Sequence, residues 1–164
     1  MARTSAGLLL YRTNVAGDLE VLLVHPGGPI WARRDGGAWS IPKGEYGLDE
    51  DPAVRADIEF AEELGHQAPA GRRLDLGEVV QAGGKRVRAW AIRGDLDVRA
   101  VTSNEFEMEW PPRSGRRQRF PEIDRAEWFS LSDARVKLNA GQLPLLQRLP
   151  DAITTDEQRG PCGD

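Results

Sequence analysis

Apolar residues recur along the first part of the chain in two runs that a short polar segment separates. Residues 5–12 and residues 19–25 are rich in leucine, and the segment between them includes Asn14, Gly17 and Asp18. Turn-forming residues between two apolar runs are typical of a β-hairpin. We therefore expect two antiparallel strands at the start of the domain.

The second half of the chain repeats this pattern with shorter runs. Residues 74–81 and 85–94 flank an Ala-Gly-Gly turn, and apolar side chains alternate with basic ones in the second run. This alternation predicts another hairpin. Residues 106–110 and 126–131 are further strand candidates, whereas residues 111–121 have the composition of a basic loop.

The segment between these two groups of predicted strands has the signals of a helix. Asp51 can accept a hydrogen bond as the N-cap of a helix, Pro52 suits the first helical position, and Gly65 is a common helix terminator. The acidic segment up to Gly65 is therefore predicted to form one well-delimited helix.

The C-terminal part of the chain predicts shorter helices. Ser132 can begin a helical turn, and residues 142–149 carry leucines at helical spacing. The sequence is polar beyond this point and contains neither an internal repeat nor a long linker. We therefore expect one domain over residues 1–150 and a flexible polar tail over residues 151–164.

The composition favours a globular domain that acts on small ligands. The chain has 164 residues, of which 40% are hydrophobic and 29% charged, and its net charge is −4. This charge argues against a stable nucleic acid complex or binding to an anionic membrane. The apolar stretch at residues 6–11 is too short for a signal sequence or a membrane span. The single cysteine, Cys162, excludes an intramolecular disulfide, and we expect a reducing, cytoplasmic location.

Three carboxylates share one face of the predicted helix. Glu59, Glu62 and Glu63 are three and four residues apart or adjacent, so they fall within a single turn. Two carboxylates about 5 Å apart repel by roughly 3 kcal/mol at an effective dielectric constant of about 20. A hard divalent cation such as Mg²⁺ relieves this repulsion. The alternative is an ordinary solvated acidic surface, which is the more common meaning of such a cluster in an arbitrary helix.

The spacing of this segment resembles the Nudix box, Gly-x5-Glu-x7-Arg-Glu-U-x-Glu-Glu-x-Gly-U, where U is a bulky apolar residue. Seven positions match in register: Gly44, Glu50, Glu59, Phe60, Glu62, Glu63 and Gly65. The preceding Trp-Ser-Ile-Pro-Lys at residues 39–43 is also similar to the segment that leads into the box. The resemblance implies an α+β fold, an α/β/α sandwich with a mixed central β-sheet, over about residues 5–149.

The resemblance also implies a chemistry. A metal-activated water attacks one phosphorus of a diphosphate in a nucleoside diphosphate linked to another group, which includes dinucleoside polyphosphates and nucleoside triphosphates. Glu59, Glu62 and Glu63 are then the catalytic residues and the side-chain ligands of Mg²⁺, with Mn²⁺ as an alternative. The backbone carbonyl of Lys43 is a further metal ligand, and Glu50 braces the box. Either Glu62 or Glu63 can take the proton from the water.

Two positions depart from the box. Ile58 stands where the family has an arginine that orients the glutamates, and His66 stands where it has a bulky apolar residue. Arg55 lies one helical turn before Glu59 and can supply the missing cation through an i,i+4 contact. The alternative is a catalytically weak or inactive Nudix-fold module that binds a nucleotide or a protein. A third hypothesis is a metal-dependent isomerase on a related scaffold.

Several residues outside the box are candidates for substrate contacts. Trp31 lies in a glycine- and proline-rich loop and is a candidate for stacking on a base. The basic loop can contact a polyphosphate, although a solvated surface loop explains its charge equally well. Its arginines are Arg113, Arg116, Arg117 and Arg119. A further acid from a later strand or loop is expected, and Glu107, Glu109 and Glu122 are unranked candidates. The sequence predicts no oligomeric state.

Overall fold

The computed structural model describes residues 3–160, which form one six-stranded mixed sheet, a separate two-stranded sheet and three α-helices. In chain order the elements are β1 (Thr4–Thr13), β2 (Leu19–Pro26), β3 (Lys43–Glu45), α1 (Pro52–Leu64), β4 (Leu74–Val80), β5 (Arg86–Arg93), β6 (Glu105–Glu109), β7 (Arg117–Pro121), β8 (Ile123–Ser130), α2 (Leu131–Lys137) and α3 (Leu143–Arg159). Both predicted hairpins are present, as β1–β2 and β4–β5.

Strand β1 is the centre of the main sheet, whose order is β4-β5-β1-β2-β8. It runs parallel to β5 along almost its whole length. Its other edge is shared, because β2 pairs with residues 11–13 while the short β3 pairs with residues 5–7. Strand β3 therefore enters the sheet where β1 and β2 have separated, and this position brings Lys43 beside helix α1.

Side-chain alternation along β1 divides the core into two layers. Leu8 and Leu10 belong to the cluster that packs against α1, whereas Leu9 and Tyr11 belong to the cluster under α2 and α3. All four are buried. Alternate residues of a strand point to opposite faces, so a strand buried on both faces reads as a continuous apolar run. The predicted α+β class and α/β/α sandwich on a mixed sheet are confirmed.

The predicted basic loop at residues 111–121 is wrong for its second half. Residues Arg117–Pro121 form β7, which pairs with β6 in a hairpin apart from the main sheet. The register places Glu107 opposite Arg119 and Glu109 opposite Arg117. Opposite charges on facing positions stabilise such a pair of strands, which the composition of one strand alone does not reveal.

The end of the domain also differs from the prediction. Helix α3 continues through Pro150 to Arg159, whereas the sequence predicts a flexible tail from residue 151. The extension is held because Ile153 is buried in the core and Asp156 forms an ion pair with Arg72 at 2.6 Å. The predicted role of Cys162 falls outside the described residues. Within the described part of the chain, every helix is too short or too polar to cross a lipid bilayer.

Candidate active site

Helix α1 is capped at both ends and buries its apolar face against the sheet. The side chain of Asp51 caps the helix by accepting a hydrogen bond from the backbone N–H of Ala53 at 2.9 Å. Gly65 ends the helix with a φ of 73°, a left-handed conformation that glycine adopts without strain. Ala56, Phe60 and Leu64 are the buried residues of the helix. The predicted caps are therefore present, and Glu62 is exposed as predicted, whereas Glu59 and Glu63 are half-buried beside strand β3.

Glu63 lies between the helix and strand β3. Its Oε2 accepts a hydrogen bond from the backbone N–H of Lys43 at 3.2 Å. Burial raises the pKa of the Glu63 carboxyl to about 8, although the positive charge of Lys43 and this hydrogen bond oppose the shift. Burial also lowers the pKa of the Lys43 ammonium group. Burial thus disfavours the charged form of both groups.

Glu59 approaches the backbone of the same strand. A Cβ added to Gly44 would lie 2.0 Å from the carboxyl carbon of Glu59, so only glycine leaves room for this carboxylate. Burial raises the pKa of Glu59, and the charge of Glu62 adds to the shift. The glycine at the start of the acidic motif therefore has a steric function, which is to admit Glu59 to the site.

Arg55 is positioned as the sequence hypothesis requires. Its Nε donates to Glu50 Oε2 at 2.8 Å, and its Nη1 donates to Glu59 Oε1 at 3.4 Å. The hydrogen bond from Arg55 lowers the pKa of Glu50, and a second hydrogen bond from the backbone of Gly47 acts in the same direction. Ile58 is 40% exposed and is absent from both clusters of the core. Arg55 thus connects Glu50 to Glu59, and the bracing role of Glu50 stays a prediction.

Of the three further acids considered, the structure brings Glu122 to the helix. Burial and the charge of Glu62 raise the pKa of Glu122. Backbone hydrogen bonds fix its place: Asn104 N–H donates to Glu62 O at 3.2 Å, Glu122 N–H donates to Asn104 O at 2.8 Å, and Gly27 N–H donates to Glu122 O at 2.8 Å. Glu107 instead pairs with Arg117 at 2.9 Å, and Glu109 is exposed on the same strand.

The acids do not form a finished cation cage. Among residues 3–160, no three acidic, histidine or cysteine side chains are already arranged to hold a metal ion. Glu59 is turned towards Arg55, and Glu63 towards the backbone of Lys43. The donor set nevertheless suits a hard divalent cation, because its members are carboxylates. Burial raises the pKa values of Glu59, Glu63 and Glu122, and the charges of neighbouring carboxylates add to each shift.

A cleft of about 360 Å³ adjoins the acids. Glu63 and Glu122 line it together with Lys43, Lys85 and Trp31. The cleft therefore carries two acids and two lysines, an arrangement that can hold a cation beside the oxygens of a phosphate.

Gln142 is a cleft residue that sequence reasoning missed. It is fully buried, and its Oε1 accepts from the Ile41 N–H at 3.1 Å. Its Nε2 donates to Ser40 Oγ at 2.9 Å and to Gln81 Oε1 at 2.7 Å. The residue thus connects the start of α3 to the segment that precedes β3. A lone glutamine before a leucine-rich helix carries no sequence signal for this function.

His25 holds the loop that carries Trp31. The imidazole is fully buried, with Nδ1 2.8 Å from Asp124 Oδ1 and Nε2 2.6 Å from the carbonyl oxygen of Arg34. Trp31 itself is 37% exposed, and the guanidinium of Arg34 lies 5.2 Å from its ring centroid. The structure therefore places the predicted stacking residue in the cleft on a tethered loop.

The predicted phosphate-binding arginines lie elsewhere. Among the residues described as lining the cleft, there is none from the basic segment. Arg113 lies in the turn of the β6–β7 hairpin with a φ of 62°, Arg116 follows in the same turn, and Arg117 is paired with Glu107. Arg119 is exposed on β7. Their contact with substrate stays a prediction.

Comparison with known proteins identifies the relatives of this fold. A family model described as the NUDIX domain matches residues 1–149. The structure is similar to a C. elegans Ap4A hydrolase in a binary complex, with 21% identity, a TM-score of 0.64, and coverage of 92% of this chain and 98% of that one. It is also similar to the NUDIX domain of Shewanella oneidensis NrtR complexed with ADP ribose (15% identity, TM-score 0.62, coverage of 93% and 89%). A third match is the Nudix hydrolase RenU from M. smegmatis (23% identity, TM-score 0.58, coverage of 93% and 86%).

Proposed function

The chain belongs to the Nudix family, and from this membership we propose that it is a metal-dependent hydrolase that cleaves a diphosphate linkage in a nucleotide-like substrate. The observation that carries the proposal is the half-buried group of carboxylates at the edge of the cleft, where Glu63 has a pKa of about 8 and Lys43 lies against it. Buried acids with raised pKa values in a cleft are typical of functional sites.

The metal ligands in this proposal are Glu59, Glu62 and Glu63, with the backbone carbonyl of Lys43 as a further donor. Mg²⁺ is the expected ion, and Mn²⁺ is the alternative. When bound, the cation supplies positive charge to the phosphate oxygens and makes water a better nucleophile. The proximity of Glu122 to Glu62 supports Glu122 as an additional acid at the same ion.

Side chains of the site neutralise the phosphates, accept the proton and orient the metal ligands. Lys43 and Lys85 neutralise the oxygens of the bound diphosphate, which lowers the cost of bringing a nucleophile to phosphorus. Either Glu62 or Glu63 accepts the proton of the attacking water. Arg55 donates a hydrogen bond to Glu59 and orients this carboxylate, which is the role that the arginine of the box has in the family.

The proposed substrate is a nucleoside diphosphate linked to another group. The named relatives support this choice, because one is an Ap4A hydrolase and another was solved with ADP ribose. Dinucleoside polyphosphates and nucleoside triphosphates are the narrower candidates.

A second candidate function is a nucleotide-binding module without catalysis. One observation favours it: Ile58 stands where the box has an arginine. In this case the chain binds nucleotides in the cleft but releases no product.

A hydrolysis assay separates the two candidates. Purified protein is incubated with Mg²⁺ and diadenosine tetraphosphate, ADP-ribose or nucleoside triphosphates, and products are resolved by anion-exchange chromatography. We expect turnover of at least one compound and a loss of about 100-fold or more in Glu63→Gln. Glu105→Gln, on the outer face of β6, is the matched control and should retain full activity. Binding without product from any compound would instead support the module.

A further inference from the structure

The β6–β7 hairpin forms a second, apolar pocket beside the acids. This pocket has a volume of about 280 Å³, and Ile30, Trp31, Phe106 and Met108 supply its large apolar side chains. Glu122 is the one charged residue among its described lining residues. We call this pocket the aromatic slot. Its composition contrasts with the cleft, which two lysines and several amide side chains line.

The aromatic slot is continuous with the candidate active site. Pro26, Trp31 and Glu122 line both the slot and the cleft. Glu122 is also close enough to Glu62 for the two charges to interact. A molecule held in the slot can therefore extend past Glu122 to the acidic helix.

The slot is shaped by two glycines whose backbone lies in close contact with the hairpin. A Cβ on Gly27 would lie 1.9 Å from the carbonyl oxygen of Pro121, and a Cβ on Gly28 would lie 2.8 Å from Cζ of Phe106. Gly28 also has a φ of 94°, which strains any other residue. Because these two residues are glycines, the loop that carries Trp31 can pack directly against the hairpin.

Alternation along β6 separates the slot from the charged surface. Phe106 and Met108 are half-buried and line the slot, whereas Glu105, Glu107 and Glu109 are exposed on the other face. Phe106 is further supported by Phe120, whose ring centroid is 6.0 Å away. The hairpin therefore presents a fixed aromatic surface towards Trp31.

Building on the proposed function, we propose that the aromatic slot binds the heteroaromatic base of the substrate while the diphosphate lies in the adjoining cleft, which Lys43 and Lys85 line. Complete small-molecule sites usually measure roughly 300–1,000 Å³, so a pocket of about 280 Å³ suits one ring system rather than a whole nucleotide. Aromatic and thioether side chains favour a planar ring. Phe106 is thus a specificity-determining residue, and substrates with a base are preferred over those without one.

The cleft is less suited to the base. Lys43 and Lys85 give it positive charge, which favours phosphate, and the amide of Gln142 is fully engaged by protein partners. This division predicts that different residues determine the affinity for the ring and the affinity for the phosphates of one ligand.

Equilibrium binding of three probes tests the proposal. ADP carries a base and a diphosphate, adenosine carries only the base, and inorganic pyrophosphate carries only the diphosphate. Their dissociation constants are measured by calorimetry in Mg²⁺ for the wild type, Phe106→Ala and Glu105→Ala. Glu105→Ala is the matched control because it alters the neighbouring residue on the opposite face of the strand.

We expect Phe106→Ala to weaken ADP and adenosine binding by about tenfold and to leave pyrophosphate binding within about twofold. Glu105→Ala should bind all three probes like the wild type, because its side chain is on the opposite face of β6 and the change leaves the slot intact. Equal weakening of ADP and pyrophosphate indicates a structural role for Phe106 and overturns the proposal. Unchanged ADP affinity in Phe106→Ala, or no binding of ADP and adenosine to the wild type, overturns it as well.

The outcome is distinguishable from a failure of the proposed function. If the wild type binds ADP through Phe106 but hydrolyses no compound, base binding in the slot is supported and the proposed hydrolase function is rejected. If hydrolysis depends on Glu63 while KM for base-containing substrates is unchanged in Phe106→Ala, the hydrolase function is supported and base binding in the slot is rejected.

Discussion

The guanidinium of Arg55 reaches Glu59, one turn later on the same helix, with 3.4 Å between Nη1 and Oε1. The same guanidinium is anchored at its other side by Glu50. The position of the expected arginine is occupied by Ile58, which is substantially exposed. The contact that the sequence hypothesis requires is therefore present, and its importance for catalysis can be tested directly.

Replacing Arg55 by alanine should lower kcat/KM and Mg²⁺ affinity. Residues that orient a metal ligand through a hydrogen bond typically change metal affinity or activity by about 10–100-fold when removed, and we expect a loss in this range. Steady-state kinetics and calorimetric Mg²⁺ titration give the two values. Ile58→Arg in the Arg55→Ala background restores the family arrangement and should recover part of the loss. Wild-type kinetics in Arg55→Ala would refute the compensation hypothesis.

Gly44→Ala should disable the site with little effect on folding. The added methyl group would overlap the Glu59 carboxylate, because the two carboxyl oxygens lie only 2.2 and 2.3 Å from where the new Cβ would stand, so Glu59 must move out. We expect Mg²⁺ affinity to fall by about tenfold or more, while thermal unfolding changes little because the displaced side chain is flexible. Gly47→Ala is the control, since its nearest neighbour would be 3.8 Å away. Equal Mg²⁺ affinity in both variants would contradict this account of Gly44.

Mg²⁺ binding should strengthen as the pH rises towards 8. The Glu63 carboxyl has a pKa of about 8 in the folded, metal-free protein, above its ordinary value of 4.5, so a proton occupies it at neutral pH. A cation must displace this proton, and the apparent affinity should increase by up to about tenfold per pH unit below pH 8 and then level off. Calorimetry at several pH values measures the trend. Glu63→Gln should bind weakly at every pH, without this slope.

The same shift makes a prediction for stability without metal. The folded protein holds a proton on Glu63 that the unfolded chain loses above about pH 5, so folded protein binds more protons in this window. The free energy of unfolding should therefore fall as the pH rises from about 5 to 8, with this group contributing at most about 1.4 kcal/mol per pH unit. Urea denaturation checks the sign by comparing the wild type with Glu63→Gln, in which the contribution is absent. A rise attributable to Glu63 over this range would contradict the prediction.

Gln142→Ala should destabilise the fold. The change removes three hydrogen bonds and leaves the Ile41 N–H without its partner in a buried region. We expect the free energy of unfolding to decrease by about 2–4 kcal/mol. Urea denaturation measures the change, and Gln158→Ala, at an exposed position of α3, serves as the control. Equal stability of the two variants would show that the buried network contributes little.

The sequence predicted those parts of the site whose causes are local. The caps of α1 and the clustering of Glu59, Glu62 and Glu63 follow from helical spacing and from the properties of Asp51 and Gly65. The strands with continuous apolar runs were also predictable, because a strand buried on both faces leaves that signature.

The features that sequence reasoning missed depend on contacts between distant residues. The insertion of β3 between β1 and β2 sets the position of Lys43, yet it spans three residues and has no periodicity of its own. Asp57 shows the same limit: its ion-pair partner is Arg73 at 3.0 Å, which lies beyond the end of the helix. Glu122 could not be separated from Glu107 because backbone hydrogen bonds with Gly27 and Asn104, which are distant in sequence, decide which acid lines the cleft.

The central claim is that the acids of α1 hold a divalent cation against phosphate. The most direct test is a crystal structure with Mn²⁺ and a non-hydrolysable nucleotide, in which anomalous scattering locates the ion. The account predicts one strong peak with carboxylate oxygens of Glu59, Glu62 and Glu63 and a phosphate oxygen at about 2.0–2.3 Å, within the range of hard divalent cations and their oxygen ligands. An ordered nucleotide with no anomalous peak at these carboxylates, or with Glu59 still bound to Arg55 and the ion elsewhere, would contradict it.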